Sequence, residues 1–326
     1  MTVTDDNRDT HVISVVVPCF NEALALPQFH ARLMDVINVL DMDYEIIYVN
    51  DGSGDSTLQV LQTLQRSTPG TGVIDLSRNF GKEAAMSAGI DHASGDAVVI
   101  IDADLQDPPE LIPRLIAGWR EGHDVVYATR SSRKGEHVIK RWTAKLFYRT
   151  MSHVGDAPIP PDAGDFRLLS RRAVDALRQL PETQRFMKGL FTWIGFSQTS
   201  VSFSRDARQA GVTTWSYRKL WNLAIEGITS FTTAPLRLSI YLGLLTAVGA
   251  FIYGGVVVVD TLIYGNEVKG YPSLMVVILM LGGIQMITLG ILGEYLGRLF
   301  MESKRRPLYL VNAFHKPRPT SGSSDG

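Results

Sequence analysis

Residues 96–110 read DAVVIIDADLQDPPE, and this stretch decides the fold. The unbroken apolar run from Ala97 to Ile101 has the pattern of a short strand buried on both faces. It breaks into Asp102 and Asp104, two carboxylates one residue apart, which on an extended chain point to the same side. Pro108 and Pro109 then suit a helix start, with Asp107 as its expected N-cap. A buried strand that opens into paired carboxylates and then into a helix is the edge of an α/β sheet written in sequence.

The pattern repeats in both directions. HVISVVVP (11–18), YEIIYVN (44–50), GVIDLS (72–77) and DVVYATR (124–130) read as further strands. Helices are expected over Ala23–Leu40, Ser56–Gln65 with Asp55 as N-cap, Lys82–His92 and Pro109–Glu121. Strand alternating with helix predicts right-handed crossovers and a Rossmann-like, mostly parallel sheet with flanking helices. Ligands of such sheets bind beyond the carboxyl ends of the strands. Asn21-Glu22, Asn50-Asp51 and Asp102-Ala103-Asp104 follow the first, second and fourth strands, so they are expected to converge on one edge.

The rest of the 326 residues differs in composition. Charges crowd the first two thirds, whereas apolar residues dominate from about Leu236 to Leu292. LRLSIYLGLLTAVGAFIYGGVVVVDTLIYG (236–265) and SLMVVILMLGGIQMITLGILG (273–293) are each long enough to cross a bilayer, which takes about 20 apolar residues. Arg237 opens the first run, while Arg298, Lys304, Arg305 and Arg306 follow the second. The positive-inside bias places these flanks in the cytoplasm and the connector 265–270 outside. Buried core helices are the alternative. Ahead of the first run, WSYRKLWNLAIEGITSF (215–231) reads as an interfacial amphipathic helix or as an ordinary packing helix. The N-terminus is polar with no apolar core, so it is not read as a signal peptide, and the first part of the chain is expected to stay cytoplasmic. The expected organisation is a polar tail (1–10), an α/β domain (11–212), a juxtamembrane segment (213–234), two spans (235–296) and a basic tail (297–326) whose end is disordered.

Composition also excludes function classes. A formal net charge of -1 gives no reason to expect a nucleic-acid partner. The single cysteine, Cys19, rules out an internal disulfide and a Cys-rich metal site. No Walker A loop and no G-x-G-x-x-G follow a strand, and neither H-E-x-x-H nor G-x-S-x-G occurs.

What remains is acidic and phosphate chemistry. Paired carboxylates at a sheet edge repel unless a cation neutralises them, and Mg²⁺ or Mn²⁺ shared between Asp102, Asp104 and substrate phosphates is the simplest answer. Gln106 is a further oxygen donor. A lone D-x-D also occurs in surface loops, but here it lies between a buried strand and a proline-started helix. In VPCFNE (17–22) and VNDGSGDST (49–57), Asp51 can accept from a base N–H and Glu22 from a ribose hydroxyl; the second stretch alone also reads as a turn before a helix. Arg130, Arg133, Lys134, Lys140 and Arg141 form a basic cluster suited to a phosphate or to a solvated face. Asp165, in GDFRLLSR (164–171), either orients an acceptor or pairs with Arg167.

With VPCFNE, VNDGSGDST, DADLQDPPE and GDFRLLSR in this order, the chain resembles family 2 glycosyltransferases of the GT-A fold. LSRNFGKEAAMSAGI (76–90), RFMKGLFTWIGF (185–196) and GEYLGRLFMESKRRPLYLV (293–311) are similar to the polyprenyl-phosphate branch, nearest to bactoprenol glucosyltransferases. The resemblance spans roughly residues 11–311. It implies a nucleotide-sugar donor around Pro18, Glu22, Asp51, Ser53 and Asp102, and a metal at Asp102, Asp104 and Gln106. Asp104 and Asp165 would lie at the reacting centre, with Arg130, Arg133 and Arg141 at the acceptor phosphate. It further implies inverting transfer of a sugar, glucose from UDP-glucose, to undecaprenyl phosphate on the cytoplasmic face of a bacterial inner membrane, by a homo-oligomer, a tetramer in that branch. The same transfer with another donor sugar (GlcNAc, GalNAc, mannose or an aminoarabinose derivative), a processive polysaccharide synthase and a non-catalytic membrane scaffold are the rival readings.

Overall fold

The computed structural model describes residues 9–40, 42–130, 163–183, 185–203, 234–264 and 270–318. The expected amphipathic segment at 213–233, the connector 265–269, and Arg133, Lys134, Lys140 and Arg141 lie outside the described residues.

The strands are β1 (Asp9–Cys19), β2 (Met42–Asn50), β3 (Thr71–Leu76), β4 (Ala97–Ile100), β5 (Val125–Arg130), β6 (Ala163–Ser170), β7 (Gln198–Phe203) and β8 (Val311–His315). They form one sheet in the order β7-β5-β6-β4-β1-β2-β3-β8. The pairs β1–β2, β1–β4, β2–β3 and β5–β7 are parallel, while β6 runs antiparallel to both β4 and β5, and β8 antiparallel to β3. The α/β class and the mostly parallel sheet are as expected, and the five expected strands are all present. The structure adds β6, β7 and β8. Their sequences carry Asp165, Arg167, Gln198 and Asn312 among the apolar residues, so neither a clean alternation nor an apolar run betrays them.

Helices α1 (Leu26–Ile37), α2 (Thr57–Ser67), α3 (Lys82–His92), α4 (Ile112–Arg120), α5 (Arg171–Arg178) and α6 (Met187–Trp193) accompany the sheet. In α1, Leu26, Phe29, Leu33 and Ile37 are buried at the spacing of one helix face. This helix is shorter than expected because Pro27, which has no N–H to give, sits in its first turn. The stretch from Pro109 is also split. Residues Pro109–Leu111 form a 3₁₀ turn, and α4 begins afresh at Ile112, where Pro113 again occupies the first turn. Pro108, not Asp107, holds the position before that turn, which corrects the expected N-cap. Asp55 caps as a neighbour rather than as the N-cap itself: its Oδ1 accepts from the Thr57 N–H at 3.0 Å, one residue ahead of Ser56.

Helix α3 controls where the site lies. Its sequence KEAAMSAGIDH is rich in small residues, and every position from Ala84 to Ile90 is buried. A Cβ on Gly89 would stand 2.2 Å from Cγ1 of Val16 in the central strand. Backbone therefore lies almost directly on sheet, and the helix N-terminus reaches the strand ends.

Two compact units make up the chain, one containing the sheet together with the described residues from Arg306 on, the other centred on two long helices. These are α7 (Ala234–Tyr264) and α8 (Tyr271–Ser303), which pack against each other. Ser239–Tyr264 is long and apolar enough to cross a membrane, by length and composition, and is the single such stretch found among the described residues. Its large side chains are exposed, Phe251 at 87% and Leu262 at 81%, which argues against a buried core helix.

The contact beneath α3 is open to test. Gly89→Ala should cost about 1–3 kcal/mol through overpacking, read as a lowered unfolding temperature. Val16→Ala in the same chain should return part of that loss.

Candidate active site

Three strand ends and one helix start meet at an open cleft of about 250 Å³. Pro18 and Glu22 reach it from the end of β1, Asp51 from the end of β2, Asp102 and Asp104 from the end of β4, and Lys82 from the start of α3. The expected convergence on one edge is therefore present. Non-glycine residues with positive φ mark its rim: Asn21 (57°) and Leu105 (60°) bend the chain just where β1 and β4 leave the sheet.

Asp165 is delivered by register. Antiparallel β6 pairs Arg167 with Ile100 at the end of β4, and the chain leaving each strand there brings Asp102 and Asp165 within reach of the same Lys82 Nζ. Two carboxylates placed this way repel, and Lys82 lies between them. Its Nζ donates to Asp102 Oδ2 and to Asp165 Oδ2, both at 2.6 Å. Lys188, from α6, stands 3.7 Å from Asp165 Oδ1, a buried oxygen with no hydrogen-bond donor. Arg167 turns elsewhere: Nη2 donates to the Gly164 carbonyl at 2.6 Å, and its guanidinium lies 3.9 Å over the Phe191 ring. Of the two expectations for Asp165, pairing with Arg167 is not the contact formed.

The charges follow from these distances. Burial works against an ionised Asp165, but Lys82 and Lys188 outweigh it and hold the carboxyl down at about 2. Burial likewise works against a charged Lys82, and the two aspartates reverse that and raise its pKa above the ordinary value. For Asp102 burial prevails over Lys82, so its pKa is raised. Glu22 is pushed up to about 7, first by burial and then by the charges of Asp104, Asp102 and Asp55. One side of the cleft is thus neutralised by lysine, while the side of Glu22 and Asp104 carries uncompensated acid.

That acid suits a hard divalent cation. Among the described residues no three acidic, histidine or cysteine side chains are grouped closely enough to cage an ion alone. Asp102 and Asp104 fit instead the arrangement in which one or two carboxylates share Mg²⁺ or Mn²⁺ with substrate phosphates. Gln106 does not line the cleft; its backbone N–H donates to Asp104 Oδ1 at 3.0 Å and holds that carboxylate in place. Ser53 also lies off the cleft, where its Oγ accepts from the Asn21 N–H at 3.0 Å. Asp51 accepts from the N–H groups of Phe80 (2.7 Å) and Gly81 (3.0 Å), one on each oxygen. Each oxygen keeps a second lone pair for a ligand donor. Arg130 is the last residue of β5, and its side chain is not among those described.

Sequence reading assigns no role to Lys82, Glu83 or Lys188. A lysine following Gly81 at a helix start, one strand away from the paired aspartates, was the available signal for the first. Glu83 is half-buried behind the site, where its Oε2 accepts from the Met187 N–H at 3.1 Å and so ties α6 to α3.

Comparison with known proteins shows the family of the chain. Residues 14–178 match the family described as glycosyl transferase family 2, and residues 234–299 match one described as the GtrB C-terminal hairpin. An uncharacterized glycosyltransferase of Synechocystis sp. is 52% identical over 300 residues, 92% of this chain and 94% of that protein. The SfII prophage-derived bactoprenol glucosyl transferase of Shigella flexneri is 47% identical over 307 residues, covering 94% and 99%. A prophage bactoprenol glucosyl transferase homolog of Escherichia coli K12 is 48% identical over 304 residues, covering 93% and 99%.

Glu83 gives the site a measurable pH signature. Burial, then Asp165, raises its pKa from 4.5 to about 7, so the folded protein keeps a proton that the unfolded chain releases between those values. Stability must therefore fall as pH rises from about 4.5 to 7. Glu83→Gln keeps an acceptor for Met187 and removes the titration. Unfolding measured from pH 5 to 8 should show wild type losing on the order of 3 kcal/mol relative to the variant; parallel curves would refute the assignment.

Proposed function

This chain belongs to glycosyl transferase family 2, and from that premise we propose that it transfers glucose from UDP-glucose to undecaprenyl phosphate at the cytoplasmic face of the membrane. The observation that carries the reading is the cleft itself. Its lining by Glu22, Asp51, Lys82, Asp102 and Asp104, with Asp165 bound to Lys82 just behind, supports assigning Asp51 and Glu22 to a nucleoside, Asp102 and Asp104 to a diphosphate, and Asp165 to the neighbourhood of the reacting carbon. Relatives that align over nearly their whole length are named bactoprenol glucosyl transferases, and they supply the lipid and the sugar of the proposal.

The reaction is direct inverting displacement. An oxygen of the acceptor phosphate attacks the anomeric carbon as the bond to the UDP diphosphate breaks. That oxygen is already anionic at neutral pH, so no strong base is needed to create the nucleophile. Asp165, held at about 2, is a poor proton acceptor and serves to orient groups and to balance the charge of Lys82. Lys82 carries the positive charge nearest to both acidic strand ends. Asp102 and Asp104 are the residues that would hold Mg²⁺ or Mn²⁺, with Gln106 holding Asp104 through its backbone N–H. When bound, such an ion supplies charge neutralisation to the departing diphosphate. Arg130, Arg133 and Arg141 are assigned to the acceptor phosphate by family resemblance.

The same reading has α7 and α8 cross the bilayer as a hairpin. Supporting it are the apolar length of Ser239–Tyr264, the 33 residues of α8, and Lys304, Arg305 and Arg306 just beyond. The return of the chain to its first unit through β8 supports an even number of crossings. Gly254, Gly255, Gly282 and Gly283 have open space where a Cβ would lie, which suits close packing against further copies in a homo-oligomer, a tetramer by family resemblance.

Purified protein given undecaprenyl phosphate, Mg²⁺ or Mn²⁺ and a panel of UDP- and GDP-sugars should form one glucosyl-phosphoryl lipid from UDP-glucose, seen by mass spectrometry. Asp104→Ala should lower the rate by roughly 10²–10³-fold, the scale of losing one electrostatic element of a transition-state site. A product from a different donor would correct the sugar alone; wild-type rate in the variant would overturn the site.

A further inference from the structure

A line of side-chain hydrogen bonds crosses the sheet beneath the nucleotide end of the cleft. It begins on β8, where Asn312 Nδ2 donates to Asp75 Oδ2 at 2.8 Å. Asp75, at the end of β3, accepts on its other oxygen from Asn50 Nδ2 at 2.7 Å. Asn50 closes β2, and its Oδ1 accepts from the Ser53 N–H at 3.3 Å. Ser53 Oγ accepts from the Asn21 N–H, and Asn21 Oδ1 accepts in turn from the Gly54 N–H at 2.9 Å. Four strands are thereby linked, and the residue after Asn50 is Asp51.

The middle of this line is buried. Asn50 is 2% exposed and Asp75 7%, so both depend on these partners to offset desolvation. The turn they hold is tight as well, because a Cβ on Gly52 (φ +62°) would meet the Arg78 carbonyl carbon at 2.3 Å. The relay holds one side of this turn, at Asn50 and Ser53, while the Phe80 and Gly81 N–H groups hold the Asp51 carboxylate on the other. β8 itself is anchored independently: the Ser77 N–H donates to the Leu310 carbonyl, the Gly70 N–H to that of Arg318, and the Tyr309 hydroxyl to Asp91 at 2.9 Å. Removing the Asn312 amide therefore leaves the strand docked while cutting the line.

We propose that Asn312 is a positioning residue: acting through Asp75 and Asn50, it fixes the turn from Asn50 to Gly54 and thereby sets Asp51 for the nucleotide. The role rests on the reading of this cleft as a nucleoside-diphosphate site. It makes the segment that follows the α7–α8 hairpin part of the donor-binding machinery, although no atom of β8 lines the cleft.

The experiment uses the full-length protein in detergent, with amide hydrogen exchange and UDP binding as paired readouts. Asn312→Ala should speed exchange at the Asn21, Ser53 and Gly54 amides about tenfold and weaken UDP about tenfold, the size of one net hydrogen bond. The donor KM should rise with kcat nearly unchanged. Asn312→Asp, which sets two carboxylates face to face, should be worse. Combining it with Asp75→Asn restores a donor and an acceptor at each step, and both readouts should return to within about twofold of wild type. Unchanged exchange in Asn312→Ala, or failure of the double exchange to rescue, overturns the relay. Faster exchange with unaltered UDP affinity overturns the positioning role. Absence of UDP binding by wild type would sink the donor assignment instead, while the exchange data would still decide the relay.

Discussion

The architecture around the cleft depends on a cation held between two carboxylates. Asp102 and Asp165 come within reach of one Lys82 Nζ because β6 runs antiparallel to β4, and no sheet would place them so without a positive charge between them. Lys82 provides it, and the requirement propagates outward. Lys82 is the first residue of α3, the helix lies close on β1 at Gly89, and alanine, serine and glycine make up most of its buried stretch, beside Met86 and Ile90. An ordinary amphipathic helix with leucines at the interface would stand farther from the sheet. The small residues of α3 are thus part of the electrostatics of the site.

This arrangement divides the acidic groups by task. Asp165 is kept ionised by its lysines, and burial and neighbouring acid push Glu22 the other way. Carboxylates of one chemical type in one cleft therefore differ in what they can do. One is a fixed negative charge that does not accept protons near neutrality; the other side is a region where negative charge is under-compensated and a ligand's cation or hydroxyl is welcome.

Much of this was legible in the sequence, for identifiable reasons. Strands β1 to β5 are apolar runs with polar ends, and the residues at those ends could be read as neighbours because parallel strands share one carboxyl edge. Glu22, Asp51, Asp102 and Asp104 were read this way, whereas Pro18 came from the family resemblance. Asp165 was visible only as a carboxylate in an apolar setting. Its partner could not be named, since that depends on the direction and register of β6, which no local pattern encodes. Lys82 was hidden for a similar reason: the contact joins residues 82, 102 and 165 across three elements. The helix ends missed at Pro27 and Pro113 are instead local. Both prolines act at the first turn, and the expected boundaries overran them.

The edge strand β8 carries a consequence for the order in which the protein is made. β3 pairs on its outer side with residues synthesised only after the whole of α7 and α8, so during translation the sheet waits with an open edge. The ribosome must deliver the hairpin before the last strand can dock. Completion of the sheet is in this way timed to follow the making of the two long helices, and a chain stalled or truncated within the hairpin leaves behind a sheet that lacks its final strand.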